Sequence, residues 1–273
     1  MFQIDLQGKQ GLVLGVANAR SLGWAIAELL HAAGARMAFA YQGERLRETL
    51  EKLTESYREP LLLPCDVTSD AELGALFAEL SSRFGRLDFV VHAVAFAPAS
   101  TFEKAFADTT REEWRVAMDV SAYSLVAVVQ RAQALMSEGG SVVTLSYLAA
   151  ERVVPHYNMM GVAKAALEAS VRYLAYDLGP RGVRVNAVSA GPVRTIAARS
   201  ISGFGSMYAE VGAKSMLRRN ITQEEVAGVA LALLSPLGGG VTGETHHVDA
   251  GYHAVGMFLD DKPHSQPDAK TES

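Results

Sequence analysis

The chain has 273 residues and a formal net charge of −5, and 49% of its residues are hydrophobic. This length allows one or two domains, and the apolar content is enough to fill a sizeable core. The mildly acidic balance excludes the basic footprint of a nucleic-acid-binding protein, and no apolar run approaches the ~18–20 residues of a membrane span. Because Cys65 is the single cysteine, an internal disulfide is excluded, and we expect a cytoplasmic protein without nucleic-acid or membrane partners.

Short apolar segments alternate with longer amphipathic stretches along the chain. The apolar segments predict strands that are buried on both faces, and they occupy residues 11–15, 36–41, 61–65, 87–93, 141–145, 183–188 and 245–248. Capping boxes begin three of the stretches between them, at residues 69–72, 110–113 and 222–225, and long helices are predicted over residues 111–135 and 156–178. The alternation predicts an α/β fold, a single doubly wound Rossmann-type domain with a seven-stranded parallel sheet.

Two segments interrupt this alternation. Residues 190–216 are rich in Gly and Ser and still carry large apolar side chains, which is typical of a lid or a binding loop. Residues 260–273 are polar and without periodicity, so we expect a disordered tail there. The catalytic domain is therefore expected to span residues 1–259 and to include the substrate-binding loop 190–216.

The ends of the first three strands carry residues that suit a dinucleotide. Gly15 suits a tight turn, and Ser21 and Gly23 suit a close approach of the backbone to a pyrophosphate, although the spacing is not G-x-G-x-x-G. Gln42 follows the second strand, where an acidic residue often binds the ribose of NAD, and Asp66 follows the third. An ordinary turn, a solvated strand end and a helix cap are the structural alternatives for these positions.

The strongest chemical pattern is Tyr157 followed seven residues later by Lys164. On a helix this spacing is nearly two turns, so both side chains would project from one face. A nearby cation favours phenolate and makes a phenol a better proton donor. Tyr147, at the end of the fifth strand, adds a second phenol at the edge of the sheet where such folds bind ligands. The structural alternative is an ordinary amphipathic helix.

No metal site is expected. His246 and His247 lie beside Glu244 and Asp249, but adjacent residues of a strand point to opposite faces of its sheet. No Gly-x-Ser-x-Gly elbow and no Walker loop occurs in the sequence. These observations leave the Tyr157–Lys164 pair as the main candidate for chemistry.

The chain resembles the short-chain dehydrogenase/reductase superfamily, and within it the bacterial enoyl-[acyl-carrier-protein] reductases. The resemblance covers residues 3–257 and is most specific in residues 145–164, with further matches in residues 65–67, 92–97 and 182–197. Most members of the superfamily place the lysine four residues after the catalytic tyrosine, and no tyrosine here has a lysine at that offset. The enoyl reductase branch uses the longer spacing found between Tyr157 and Lys164.

The resemblance implies a role for each matching position. Tyr157 would stabilise or protonate the enolate, Lys164 would hold the nicotinamide ribose, and Tyr147 would line the acyl pocket. The implied cofactor contacts are Gly15, Ser21, Leu22, Gln42, Asp66, Val67, Val94, Lys164, Val193, Arg194, Thr195, Ile196 and Ala197. The implied substrate contacts are Ala97, Tyr147, Met160, Ile201, Phe204 and Met207.

The resemblance also implies a reaction, the reduction of the trans-2 double bond of enoyl thioesters on acyl carrier protein in type II fatty-acid synthesis. It further implies that the enzyme is a homotetramer. NADH is the expected cofactor because no Arg or Lys lies within two residues after Gln42 to pair with a 2′-phosphate. Two alternatives are a carbonyl reductase of the same superfamily, which the Tyr157–Lys164 spacing disfavours, and a non-catalytic dinucleotide-sensing protein, which the intact pair disfavours.

Overall fold

The computed structural model describes residues 4–57, 59–195 and 203–258 of the chain. Its strands form one sheet in which every pairing is parallel, in the order β3-β2-β1-β4-β5-β6-β7. The strands are β1 (Gln10–Leu14), β2 (Arg36–Tyr41), β3 (Leu61–Pro64), β4 (Phe89–His92), β5 (Gly140–Ser146), β6 (Val183–Ala190) and β7 (Thr245–Val248). The predicted seven-stranded parallel sheet is confirmed.

Helices connect the strands and cover both faces of the sheet. They are α1 (Leu22–Ala32), α2 (Glu44–Leu53), α3 (Asp70–Phe84), α4 (Arg111–Met118), α5 (Ser124–Ala132), α6 (Asn158–Leu178), α7 (Phe204–Lys214) and α8 (Gln223–Leu234). In the part of the chain that the structure describes, no helix is both long enough and apolar enough to cross a bilayer.

The prediction of one regular helix over residues 111–135 is wrong. A π-helical segment, Asp119–Tyr123, separates α4 from α5, and a 3-10 turn, Gln133–Leu135, follows α5. Within the π segment, the Ser121 hydroxyl accepts from the backbone N–H of Phe96 at 2.8 Å and donates to the Phe96 carbonyl at 2.7 Å. These two bonds tie the widened turn to the loop after β4, a long-range contact that no local pattern reveals.

The start of α6 also differs from its prediction, because the helix begins at Asn158 rather than near His156. Of the three predicted capping boxes, those at residues 110–113 and 222–225 are complete. At residues 69–72 the Ser69 hydroxyl accepts from the Glu72 N–H, but the Glu72 carboxylate accepts from the backbone of Asp66 instead of closing the box. That exchange connects α3 to the end of β3.

Alternate residues of each strand enter two separate cores, as expected for a sheet covered on both faces. The core between the sheet and α3, α5 and α6 includes Leu12, Leu76, Leu125 and Leu167. The core between the sheet and α1 and α8 includes Val13, Ile26, Val143 and Val226. These two layers fix the sheet rigidly and leave its edges for binding.

The strand order changes direction between β1 and β4, the switch point at which doubly wound sheets bind ligands. Leu14, at the end of β1, pairs with Ala40 in β2 and His92 in β4. The loops that follow these strands therefore leave the sheet side by side. The second part of segment 190–216 forms α7 near the same edge, whereas residues 196–202 and the expected tail, 260–273, lie outside the described residues.

Candidate active site

A cleft of about 1180 Å³ runs along the carboxyl ends of the strands. Its lining contains most of the residues that the sequence predicts for cofactor and substrate: Gly15, Ser21, Leu22, Gln42, Asp66, Val67, Val94, Ala97, Tyr147, Tyr157, Met160, Lys164, Val193, Thr195, Phe204 and Met207. Arg194 is absent from this lining, and its guanidinium lies 4.5 Å from the centre of the Tyr208 ring. Three further predicted residues, Ile196, Ala197 and Ile201, lie outside the described residues.

One end of the cleft is formed by the turn between β1 and α1. Gly15 has a φ of +90°, and a Cβ at this position would lie 2.1 Å from the carbonyl oxygen of Ala93. Ser21 precedes α1 with extended backbone and donates its hydroxyl to the Asn18 carbonyl at 2.7 Å. The N–H groups at the start of α1 present a positive potential to the cleft. No acidic residue in the first turn of α1 neutralises this potential.

Gln42 and Asp66 close the same end of the cleft. The Gln42 amide donates to Asp66 Oδ2 at 2.7 Å, while Asp66 Oδ1 accepts from the backbone and hydroxyl of Thr68. The two residues that the sequence singles out separately thus form one hydrogen-bonded unit across the ends of β2 and β3. Its polar groups suit the hydroxyls and amino group of an adenosine.

Tyr157 lies immediately before α6, where the backbone is strained on both sides. His156 has a φ of +66° and Asn158 has a φ of +41°, backbone values that residues other than glycine rarely adopt. The Asn158 amide donates to the carbonyls of Thr101 and Lys104, both at 2.9 Å. These bonds hold the strained segment against the loop after β4 and so fix the position of the phenol.

Two phenols lie together in the middle of the cleft. The rings of Tyr147 and Tyr157 have centroids 4.9 Å apart, and the Tyr147 hydroxyl contacts the Met207 sulfur at 3.4 Å. Burial raises the pKa of Tyr147 to about 12 and also raises the pKa of Tyr157. A nearby cation favours ionisation of a phenol, but burial has the larger effect on the pKa of Tyr157, so both phenols are neutral donors.

Lys164 is 5% exposed and donates from Nζ to the Leu145 carbonyl at 2.7 Å. Burial lowers the pKa of this ammonium to about 8, and the charge of Glu168 opposes that effect. The lysine thus carries a hydrogen-bond donor from α6 into the cleft, close to the end of β5.

Three residues near the site were missed by reasoning from the sequence. His92 is fully buried between the hydroxyls of Thr144 and Ser124, at 2.9 and 2.8 Å, and burial lowers its pKa to about 3, so the ring is neutral. Asn158 and Glu168 are the other two. The position of Asn158 beside Tyr157 and of His92 at a strand end could have indicated them, whereas the buried carboxylate of Glu168 has no local signal.

The histidines of β7 belong to a separate cluster. His247 Nε2 lies 2.9 Å from Glu151 Oε1, and its ring stacks on His253 at 3.9 Å. Among residues 4–57, 59–195 and 203–258, no group of three or more His, Cys, Asp or Glu side chains is placed to hold a metal ion.

Comparison with known proteins identifies the family. Residues 15–253 match the family model described as enoyl-(acyl carrier protein) reductase. The NADH enoyl-[acyl-carrier-protein] reductase 1 of Rhizobium meliloti is 49% identical over 94% of this chain and 95% of its own length. The corresponding enzyme of Bacillus cereus is 50% identical over 92% of this chain and 99% of its own length.

Solved structures agree with this match. The Bacillus cereus enzyme, crystallised with NADP+ and an indole naphthyridinone, superposes with a TM-score of 0.91 at 49% identity, covering 94% of this chain and 100% of that one. The Anaplasma phagocytophilum enzyme, crystallised with NAD, gives a TM-score of 0.90 at 48% identity, covering 94% and 98%. The chain therefore belongs to the enoyl-(acyl carrier protein) reductase family.

Proposed function

We propose that this protein is an NADH-dependent enoyl-[acyl-carrier-protein] reductase, which reduces the trans-2 double bond of enoyl thioesters in type II fatty-acid synthesis. The observation that carries the proposal is the meeting of Tyr147, Tyr157 and Lys164 in one cleft. The names of its relatives, which specify NADH and acyl carrier protein, support it. The proposal includes a cytoplasmic location, which an acyl carrier protein substrate and the unpaired Cys65 support.

The residues of the cleft fit a dinucleotide. The crowding at Gly15 lets the backbone approach a pyrophosphate at the start of α1, because a side chain there would fill the space. The Gln42–Asp66 unit would bind the adenosine, and Lys164 would donate to the nicotinamide ribose. When bound, the reduced nicotinamide supplies the hydride for the β-carbon of the substrate.

Tyr157 would act on the thioester oxygen, where negative charge develops during reduction. Its neutral phenol donates a hydrogen bond that strengthens as this charge grows, so the stabilisation is largest in the transition state. Protonation of the α-carbon then completes the reaction. Phe204 and Met207 line the cleft from α7 and would form an apolar wall that keeps water from the acyl chain.

The test is an assay of NADH oxidation with crotonyl and longer enoyl thioesters, set against a panel of ketones. We expect turnover of the enoyl thioesters, lost in the Tyr157→Phe/Lys164→Ala double variant. Turnover of ketones alone would identify a carbonyl reductase of the same superfamily. Tight NADH binding without turnover of either class would identify a dinucleotide-sensing protein.

The proposed assembly is a homotetramer. Helix α6 exposes large aromatic side chains, with exposed fractions of 75% at Tyr173 and 81% at Tyr176, and Trp114 of α4 and Tyr123 of the π-helical segment are also exposed. Aromatic groups of this size on neighbouring helices are typical of subunit interfaces, and closed symmetry is the usual arrangement. Light scattering at micromolar concentration should give the mass of four chains, and a monomer would contradict the proposal.

A further inference from the structure

The interior of α6 contains two ionisable side chains one turn apart. Lys164 is 5% exposed and Glu168 is 6% exposed. Charged residues are almost never buried to this extent unless they are paired, because removing an isolated charge from water is strongly unfavourable. The spacing of four residues places both side chains on one face of the helix.

Both side chains are anchored to consecutive residues at the end of β5. The Lys164 ammonium donates to the Leu145 carbonyl at 2.7 Å, and the Ser146 hydroxyl donates to Glu168 Oε1 at 2.5 Å. Ser146 also lines the cleft. The end of β5 therefore fixes the positions of both side chains. The ammonium of Lys164 lines the cleft, and the carboxylate of Glu168 is held one helical turn further along α6.

We propose that Glu168 is a positioning residue for the reduction, a buried counter-charge that keeps Lys164 protonated in the pH range in which the enzyme works. This inference deepens the proposed function and rests on it for the role of Lys164 toward the nicotinamide ribose. Without a counter-charge, the desolvated lysine would lose its proton, and a neutral amine is a weaker donor to the ribose hydroxyls.

The other ionisable groups nearby do not supply this charge. His92, which faces Lys164 from β4, is neutral, and its protonation would oppose the ammonium. Tyr157, from the segment before α6, is a neutral phenol. Burial raises the pKa of Glu168 itself, the hydrogen bond from Ser146 lowers it, Glu151 raises it, and His247 and Arg172 lower it. Among the described residues, Glu168 is thus the carboxylate whose charge opposes the effect of burial on the pKa of Lys164.

The direct test measures the pKa of Lys164 in the cofactor-free protein, so that it does not depend on the reaction. The chain has seven lysines, and ¹³Cε-lysine NMR with Lys164→Met for assignment would resolve this one. We expect Glu168→Gln, which keeps the shape and can still accept from Ser146, to lower the pKa by about one unit. Glu151→Gln, which removes a carboxylate that is 43% exposed from the same neighbourhood, should leave the pKa of Lys164 unchanged.

Activity should follow the same titration. With the pKa of Lys164 at about 8, a fall of one unit reduces the charged fraction at pH 8 from about one half to about one eleventh, a loss of about fivefold. Glu168→Gln should therefore match the wild type at pH 6 and lose about fivefold or more in kcat/KM at pH 8. An unchanged Lys164 pKa in folded Glu168→Gln, or an equal loss of activity at every pH, would overturn the proposal.

A thermal measurement keeps the proposal testable if Glu168→Gln folds poorly. In the wild type, removing one partner of a buried pair leaves the other uncompensated, so Glu168→Gln should lower the Tm. In the Lys164→Met background the carboxylate is already uncompensated, so the same change should raise the Tm. A fall in Tm of equal size in both backgrounds would show that Glu168 has a packing role only and would contradict the proposal.

Discussion

The glycine at the end of β1 allows a sharp test of how the cofactor site is built. Gly15→Ala introduces a side chain at a φ of +90° and places its Cβ 2.1 Å from the Ala93 carbonyl oxygen. The left-handed backbone costs about 1–2 kcal/mol, and forcing an extra methyl into a packed position costs about 1–3 kcal/mol more. We expect a total loss of about 2–5 kcal/mol in the free energy of unfolding and at least about tenfold weaker NADH binding, since about 1.4 kcal/mol is a tenfold change in affinity.

Gly85→Ala is the matched control. Gly85 has a φ of +72°, but a Cβ there would meet nothing within 4 Å. It ends α3 at the opposite edge of the sheet, so the substitution should cost about 1–2 kcal/mol and leave NADH affinity intact. Urea unfolding and fluorescence titration with NADH, at matched protein concentration, measure both quantities. Equal destabilisation by the two variants would refute the reasoning, because it would mean that the contact with Ala93 relaxes without cost.

Three further predictions concern the cleft. Lys164→Ala should weaken NADH binding and slow turnover, whereas Tyr157→Phe should slow turnover and leave NADH affinity nearly intact. An equal loss of NADH affinity in both variants would contradict the assigned roles. NADH binding should be strongest below pH 8 and weaken above it, since burial lowers the pKa of Lys164 to about 8 and the ammonium is lost as the pH rises; a titration by fluorescence should lose this dependence in Lys164→Met. The kcat/KM with NADH should exceed that with NADPH, and the reverse order would show that a cation outside the position of Gln42 binds the 2′-phosphate.

The fold could be predicted from the sequence because its signal is local and repeated. Apolar segments such as residues 36–41 and 183–188 are short and buried on both faces, and each is followed by an amphipathic stretch. The break at Asp119–Tyr123 could not be predicted, because its cause is the contact between Ser121 and the distant backbone of Phe96. Periodicity reports the face of a helix but not a partner elsewhere in the chain.

The site was predictable to the extent that its residues follow strands or carry a characteristic spacing. Gly15, Gln42 and Asp66 follow strand ends, and the topology brings such positions to one edge. The protonation states were not predictable, because desolvation depends on the surrounding packing. Tyr157 shows this most clearly, since a lysine seven residues later favours ionisation of the phenol, whereas burial raises its pKa.

The bond between Gln42 and Asp66 constrains how cofactor preference can change during evolution. An arginine at position 42, the simplest route to a 2′-phosphate, would remove the amide that donates to Asp66 at 2.7 Å. It would also place a cation beside a carboxylate, so an internal ion pair would compete with the phosphate for the guanidinium. A change of cofactor preference through position 42 is therefore coupled to Asp66, and the two positions are expected to change together.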